Sequence, residues 1–375
     1  MNSPDSALLD AAGQLDAADR GGMLRAIATA GAQVRESLQL AAESGIERYL
    51  AGERPRAVLL VADPPAADVL PVLTALAAGP AATAPVAVYT EAVLPLWLGP
   101  ADVLLVAAHD GGAERPLMLV EAAARRGVSV VAVGPAGSSL EEACGVGRLP
   151  YVPLTPGRPS RASFWSLLIP LLLAAAQLGI AEVERSDLAA AADHLDGTAE
   201  RCRPTHETFV NPAKSLALDV GASMPVFWGT SPLTGAVAHR AAAQLTRLAA
   251  HPALWGLVPA AVDLLGGVFD GGAAQDTDIF RDRIDDVVPR RPRLVLLRDV
   301  SEASDVQAIV EGVIGQLSDQ GVPVTELVTD DAGPVTRLAS LVGLLDLTAA
   351  YAGLALGVDP SGPRVATLPG PSVIG

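Results

Sequence analysis

Three runs constrain the fold of this chain more than any other feature. Ala57-Val58-Leu59-Leu60-Val61, the VLLVA of residues 103–107 and the VSVVAV of residues 128–133 are apolar at successive positions rather than at alternate ones. A strand of that kind has two faces to hide, so it belongs in a sheet covered on both sides. Stretches of helical spacing at 69–77 and 116–126 separate the runs, and residues 86–89 read as a further strand. The pattern predicts an α/β fold, with a mostly parallel sheet flanked by helices and right-handed crossovers.

The second half repeats the pattern more briefly. It offers a strand at 225–228, a helix at 233–249, an apolar segment at 254–261, a strand at 293–297, a helix at 303–319, a strand at 322–327 and a long helix at 334–356. With 375 residues the chain is long enough for two domains. We expect an amphipathic helix at 8–50 plus a first unit over 1–195, and a second unit over 196–375 that ends in the long helix. A polar helix at 186–203 is the expected bridge. The glycine-containing stretch 266–291 reads as a loop, mobile or functional.

Within the second unit, residues 211–250 read as the entry to the reacting part of the chain. The apolar run Met224-Pro225-Val226-Phe227-Trp228 stops at Gly229-Thr230-Ser231, and a helix follows. Such a strand, small-residue loop and helix bring backbone N–H groups and hydroxyls to a helix N-terminus, where anions bind.

Charge narrows the partners. A formal net charge of −16 opposes binding to nucleic acid or to an anionic membrane surface. Lys214 is the only lysine, so arginine carries the surface positive charge. Cys144 and Cys202 are far apart and outside any CxxC or Cys/His cluster, which suggests reduced thiols in the cytoplasm and no metal site. The acidic start has no basic region followed by an apolar core, and so does not read as a secretory signal. The apolar run 164–180 is shorter than the ~20 residues a membrane span needs and contains Pro170, so a buried helix is expected there.

Five stretches carry a family resemblance: VLLVAAHDGGAERPLMLVEAAARRGVSVVAV, LPYVPLTPGRPSRASFWSLLIPLL, NPAKSLALDVGASMPVFWGTSPLTGAVAHRAAAQL, PRLVLLRD and LTAAYAGLALGVDPSGP. Together they resemble the sugar isomerase (SIS) domain proteins, in particular the bifunctional phosphoglucose/phosphomannose isomerases, whose chain is two SIS domains in tandem. The resemblance implies two tandem SIS-type domains, a sugar phosphate or nucleotide sugar as ligand, no cofactor, and a homodimer or a partner enzyme of mannose or glucose phosphate metabolism.

Carried over position by position, the family's site is degenerate here. Its first Gly/Ser-rich loop matches residues 62–68, where Pro64 and Pro65 remove N–H donors and Asp63 and Asp68 add negative charge. Its second loop matches residues 107–114, without the hydroxyls but with His109, Gly111 and Gly112 able to approach an anion. Arg161 matches the arginine that helps hold the sugar. The family's Gln-Leu-Asn-Glu-Asn-Ala-Lys motif matches residues 244–250, which puts Arg247 where the glutamate base stands. An arginine does not act as a base near neutral pH. The family's His-Asn-Glu motif is replaced by an apolar run. His239 and His251 are the candidates left for ring opening or proton transfer, with Arg161 for the sugar and Gly229, Thr230 and Ser231 for phosphate. Glu207 reads as a solvated loop acid.

Three readings follow: a sugar-phosphate-binding protein with lost or much reduced isomerase activity, an active isomerase with a rearranged site, and a scaffold without a small ligand.

Overall fold

The computed structural model describes residues 3–77, 79, 82–269 and 290–362. Among the described residues nine strands form two sheets, and all of their pairings are parallel. In the first sheet β1 (Val58–Ala62), β2 (Val86–Val88), β3 (Val103–Ala107), β4 (Ser129–Pro135) and β5 (Tyr151–Leu154) lie in the order β2-β1-β3-β4-β5. In the second, β6 (Met224–Gly229), β7 (Leu254–Leu257), β8 (Pro292–Arg298) and β9 (Val324–Val328) lie in the order β7-β6-β8-β9. Both orders start with the second strand outside the first and then run outward. The duplication that the sequence shows only as a rhythm is therefore one of topology.

The doubly apolar strands divide their side chains by parity. Leu60, Val103, Leu105, Val131 and Val133 enter one core, while Leu59, Val61, Leu104, Val106 and Val130 enter another behind helices Glu114–Arg125 and Ser139–Gly147. The second sheet does the same. Phe227, Val295 and Leu297 face the first core, and Val226, Trp228, Leu294 and Leu296 face a third, under helix Ser304–Asp319. The core shared by both sheets is helical. It holds Phe164–Gln177, Arg185–Arg201, Pro212–Ala222, Pro232–Ala249 and the 22-residue Pro334–Ala355.

The apolar run at 164–180 is thus a buried core helix. Pro334–Ala355 is apolar and long enough to cross a membrane, but 89% of its most apolar window is buried inside the protein. The expected boundary at 195/196 falls inside helix Arg185–Arg201.

Several local expectations are corrected. The single helix at 8–50 is five short ones, broken where Asp19 accepts the N–H groups of Met23 and Leu24 and where Gly22 and Gly45 take positive φ. Residues 151–154, and residues 254–257 of the expected apolar segment, are edge strands. Helices Ser139–Gly147 and Pro212–Ala222 went unread. Asn211 caps the latter, accepting from the N–H groups of Ala213 and Lys214. The sole lysine lies inside: the Lys214 ammonium, fully buried, donates to the carbonyls of Leu9, Pro204 and His206 and ties the N-terminal helices to the second unit. Burial draws its pKa down. The stretch 266–291 lies largely outside the described residues.

Candidate functional site

Open parallel sheets take ligands beyond the carboxyl ends of their strands, where the strand order reverses. That rule marks two mouths here, one between β1 and β3 and one between β6 and β8.

The first mouth is closed by Asp63. It follows β1 and is 1% exposed. Its Oδ1 accepts the Ala66 N–H at 2.9 Å, and its Oδ2 accepts the N–H groups of His109 at 2.9 Å and Asp110 at 2.7 Å. Those loop amides, the donors a phosphate would need, are spent on the protein's own carboxylate. Burial raises the Asp63 carboxyl against the lowering effect of these bonds. Gly112 donates its N–H to Asp110 Oδ1 at 3.0 Å, and Gly111 lies where a Cβ would come within 3.2 Å of Ser138. His109 Nε2 is 3.2 Å from Ser163 Oγ. The Ser163 hydroxyl gives its proton to Pro159 O at 2.8 Å, so the imidazole is the donor of that pair. Burial lowers the His109 pKa, which favours the neutral ring.

The second mouth is built from hydroxyls. Ser231 caps helix Pro232–Ala249 in a capping box with Thr234. Thr234 Oγ1 accepts the N–H groups of Thr230 at 2.9 Å and Ser231 at 3.0 Å. Gly229 permits this tight return: a Cβ there would stand 2.2 Å from the nitrogen of Gly235. Asp299, just past β8 and 3% exposed, accepts Ser231 Oγ at 2.7 Å on one oxygen. On the other it accepts the Ser301 N–H at 3.0 Å and hydroxyl at 2.9 Å and pairs with Arg337 at 3.2 Å. Burial alone would raise the Asp299 carboxyl, but these hydrogen bonds and the Arg337 charge hold it below the usual range. Beside Arg337 a cavity of about 920 Å³ opens along the seam of the two halves, lined by Leu76, Ile180, Glu182, Ser186 and Leu233 among others.

Between the mouths, helix Pro232–Ala249 faces the first unit with two arginines. Arg240, 3% exposed, forks onto Asp346 at 2.6 and 3.1 Å, stacks 4.0 Å from the Phe164 ring and reaches Asp68 at 3.2 Å. Arg247 forks onto Asp68 with both terminal nitrogens. Burial raises the Asp346 carboxyl, whereas at Asp68 the two arginines outweigh burial and lower it.

The remaining candidates scatter. His239 packs edge-on against Trp255, with Nδ1 buried and unpartnered among the described residues. Burial lowers its pKa. Fully buried His251 bonds Ser223 O at 2.9 Å, next to the start of β6 and thus at the opposite end of the sheet from the mouth. Arg161 donates to Pro360 O at 2.6 Å and Gly362 O at 3.3 Å, in the segment after the last helix. Glu207 is exposed in the turn before helix Pro212–Ala222. Sequence reasoning missed Arg240, Asp299, Arg337 and Asp346. An acid directly after the β8 run was the one signal available for Asp299. Among the described residues no three His, Cys, Asp or Glu side chains group to hold a metal.

Residues 209–365 match the family model of the bacterial phospho-glucose isomerase C-terminal SIS domain. Over those residues the chain is a SIS domain. It is 25% identical over 169 residues to the bifunctional phosphoglucose/phosphomannose isomerase of Caldicellulosiruptor bescii, a match over 45% of this chain and about half (50%) of that relative's length. The SIS fold extends over both halves. A hypothetical protein of Thermus thermophilus superposes with a TM-score of 0.69 at 14% identity, covering 95% of this chain and 91% of its own. A protein of Silicibacter pomeroyi described as a phosphosugar isomerase superposes with a TM-score of 0.64 at 19% identity, over 90% and 99%. The matched SIS domain contains both Asp299 and Arg247.

Proposed function

We propose that this SIS-domain protein binds a phosphorylated sugar or nucleotide sugar in the cytoplasm without isomerising it, and acts in carbohydrate metabolism through a homodimer or a partner enzyme. The observation that carries the reading is Arg247. Aldose–ketose isomerisation passes a proton between adjacent carbons and needs a base at the substrate. The residue at the matching position is a guanidinium locked on Asp68, and Asp68 is itself neutralised by two arginines. Asp63 adds to this by consuming the loop amides of the first mouth. The ligand's place in this reading is the second mouth, where Arg337, paired with the Asp299 that holds Ser231, lines the seam cavity together with Leu233.

Purified protein is expected to leave glucose 6-phosphate and mannose 6-phosphate unconverted. Turnover to fructose 6-phosphate at roughly 1 s⁻¹ or faster sinks the proposal. A melting temperature raised by sugar phosphates or nucleotide sugars at millimolar concentration, and no longer raised in Thr230→Val, supports binding. A panel without effect favours the scaffold.

One observation favours the rearranged isomerase as a second reading. His239 is held toward its neutral form with an unpartnered Nδ1, the state a general base requires. Turnover that disappears in His239→Gln selects that reading.

A further inference from the structure

The cavity along the seam is bounded by more acid than base. Glu182 and Glu184 lie on its wall, both exposed, and neither pairs with a basic side chain among the described residues. The arginines nearest in sequence and in space are engaged elsewhere, Arg185 with Glu47 and Arg337 with Asp299. Asp331, next to the lining residue Ala332, is exposed as well.

Two features of the cavity would draw an anion, and each already has a carboxylate. Arg337 has Asp299 at 3.2 Å. The N-terminus of the 22-residue helix Pro334–Ala355 has Asp187, which accepts the N–H groups of Val335 at 2.8 Å and Thr336 at 3.0 Å. What remains at the rim is surplus negative charge.

The floor is apolar and drawn from both units, with Leu76, Ile180, Val183 and Leu233. It does not end at the cavity of about 920 Å³: Ala82 also walls a second hollow of about 440 Å³, bounded by Thr74, Thr83 and Val86. Pockets for compact small molecules measure about 300–1,000 Å³, so a groove that fills this range and then continues suits a length of chain better. An acidic rim over an apolar floor complements an amphipathic helix whose apolar face is flanked by lysine or arginine. A second copy of this chain is a poor occupant, because it carries the same net charge of −16 and its one lysine is buried.

We propose that the seam groove docks a basic, amphipathic helical segment of a partner protein, with the apolar face on Leu76, Ile180, Val183 and Leu233 and the cations at Glu182 and Glu184. It goes beyond the sugar reading and does not rest on it, because no sugar phosphate enters its test.

The test uses the full chain and a fluorescent peptide of about 18 residues, with leucines along one helical face and lysines along the other. Anisotropy titrations at low salt should give a Kd of about 10 µM that weakens as sodium chloride rises. Glu182→Gln/Glu184→Gln should weaken binding about fivefold, and Ala190→Arg, which sets a cation on the groove wall, by at least as much. Glu121→Gln/Glu142→Gln removes the same charge from helices Glu114–Arg125 and Ser139–Gly147 and should leave the Kd unchanged. In the wild type the peptide should slow amide exchange across residues 179–190 and 332–337.

No saturable binding at roughly 100 µM overturns the proposal, as does exchange that the peptide leaves unaltered. Equal weakening by the two glutamate pairs overturns it too, because the peptide then reads net charge alone. So does equal affinity for a peptide with glutamates in place of the lysines, or for an oligolysine without leucines. A dimer that Ala190→Arg breaks into monomers assigns the groove to a second copy and overturns the partner. A failed sugar panel leaves each of these outcomes as decisive as before.

Discussion

The two mouths solve one problem with different parts. After β6 the chain turns straight into helix Pro232–Ala249, and Gly229 is the condition for that return. After β1 a 3-10 turn, Pro64–Ala66, comes before helix Val69–Ala77, so the helix starts later and Asp63 occupies the mouth instead. Each mouth ends up with a buried aspartate, but the two are held in opposite ways. Asp63 accepts backbone N–H groups and is raised by burial, while Asp299 is surrounded by hydroxyls and Arg337 and is lowered. The lesson is that the environment decides what an aspartate does at a strand end. In the first mouth it occupies the loop N–H groups that an anion would need; in the second it pairs with Arg337, which lines a cavity.

The comparison can be broken most severely at Gly229. Gly229→Ala drives a methyl into the backbone at Gly235, and we expect a loss of at least about 3 kcal/mol in urea unfolding. Ala62 already bears a Cβ at the end of β1, so Ala62→Ser should cost far less.

Next comes Asp63→Ala, which strips three N–H groups of their acceptor and should cost about 2–3 kcal/mol by the same measurement. If that variant then gains stability from phosphate, the stand-in role of Asp63 is sharpened. If it neither loses stability nor gains a phosphate response, the role is wrong.

The pH dependence of the two aspartates should run in opposite directions. Asp299 is lowered from 3.8, so its contribution is present above that value and is lost as pH falls through the folded-state pKa. Asp63 is raised from 3.8, so its contribution declines as pH rises from 3.8 through the folded-state pKa. Asp299→Asn should therefore cost more at pH 7 than at pH 3, and Asp63→Asn less. Urea midpoints across pH that move in parallel for the two variants would erase the contrast.

The smallest effect is expected at Thr234. Thr234→Val removes the capping-box hydroxyl and should lower stability by about 1 kcal/mol.

Much of the fold could be read in advance. β1, β3 and β4 announce themselves because residues apolar on both faces have no other home than a doubly covered sheet. Edge strands β5 and β7 were harder, since half-exposed strands carry no such mark and Pro153 interrupts one of them. The single helix at 8–50 failed because helical periodicity continues across caps that depend on a side chain such as Asp19 folding back.

The site shows the same division. Arg247 could be placed from sequence alone, and with it the absence of a carboxylate at that point. That Asp68 would be its partner could not be placed, because the two are 179 residues apart and meet through the packing of two units. Asp63 and Asp68 look alike in sequence, two acids in one short loop. One turns inward onto backbone amides and the other outward onto arginines.

The sequence by itself determined the α/β class, the doubled rhythm and the chemical identity of each candidate, because periodicity and side-chain type are local properties. Tertiary structure alone decided that His251 lies at the far end of its sheet, that Arg161 is engaged by the segment after the last helix, and that each mouth is furnished with an aspartate of its own. Those outcomes depend on which groups are brought within hydrogen-bond distance, and distances across the chain are set only when the helical layer shared by the two sheets packs.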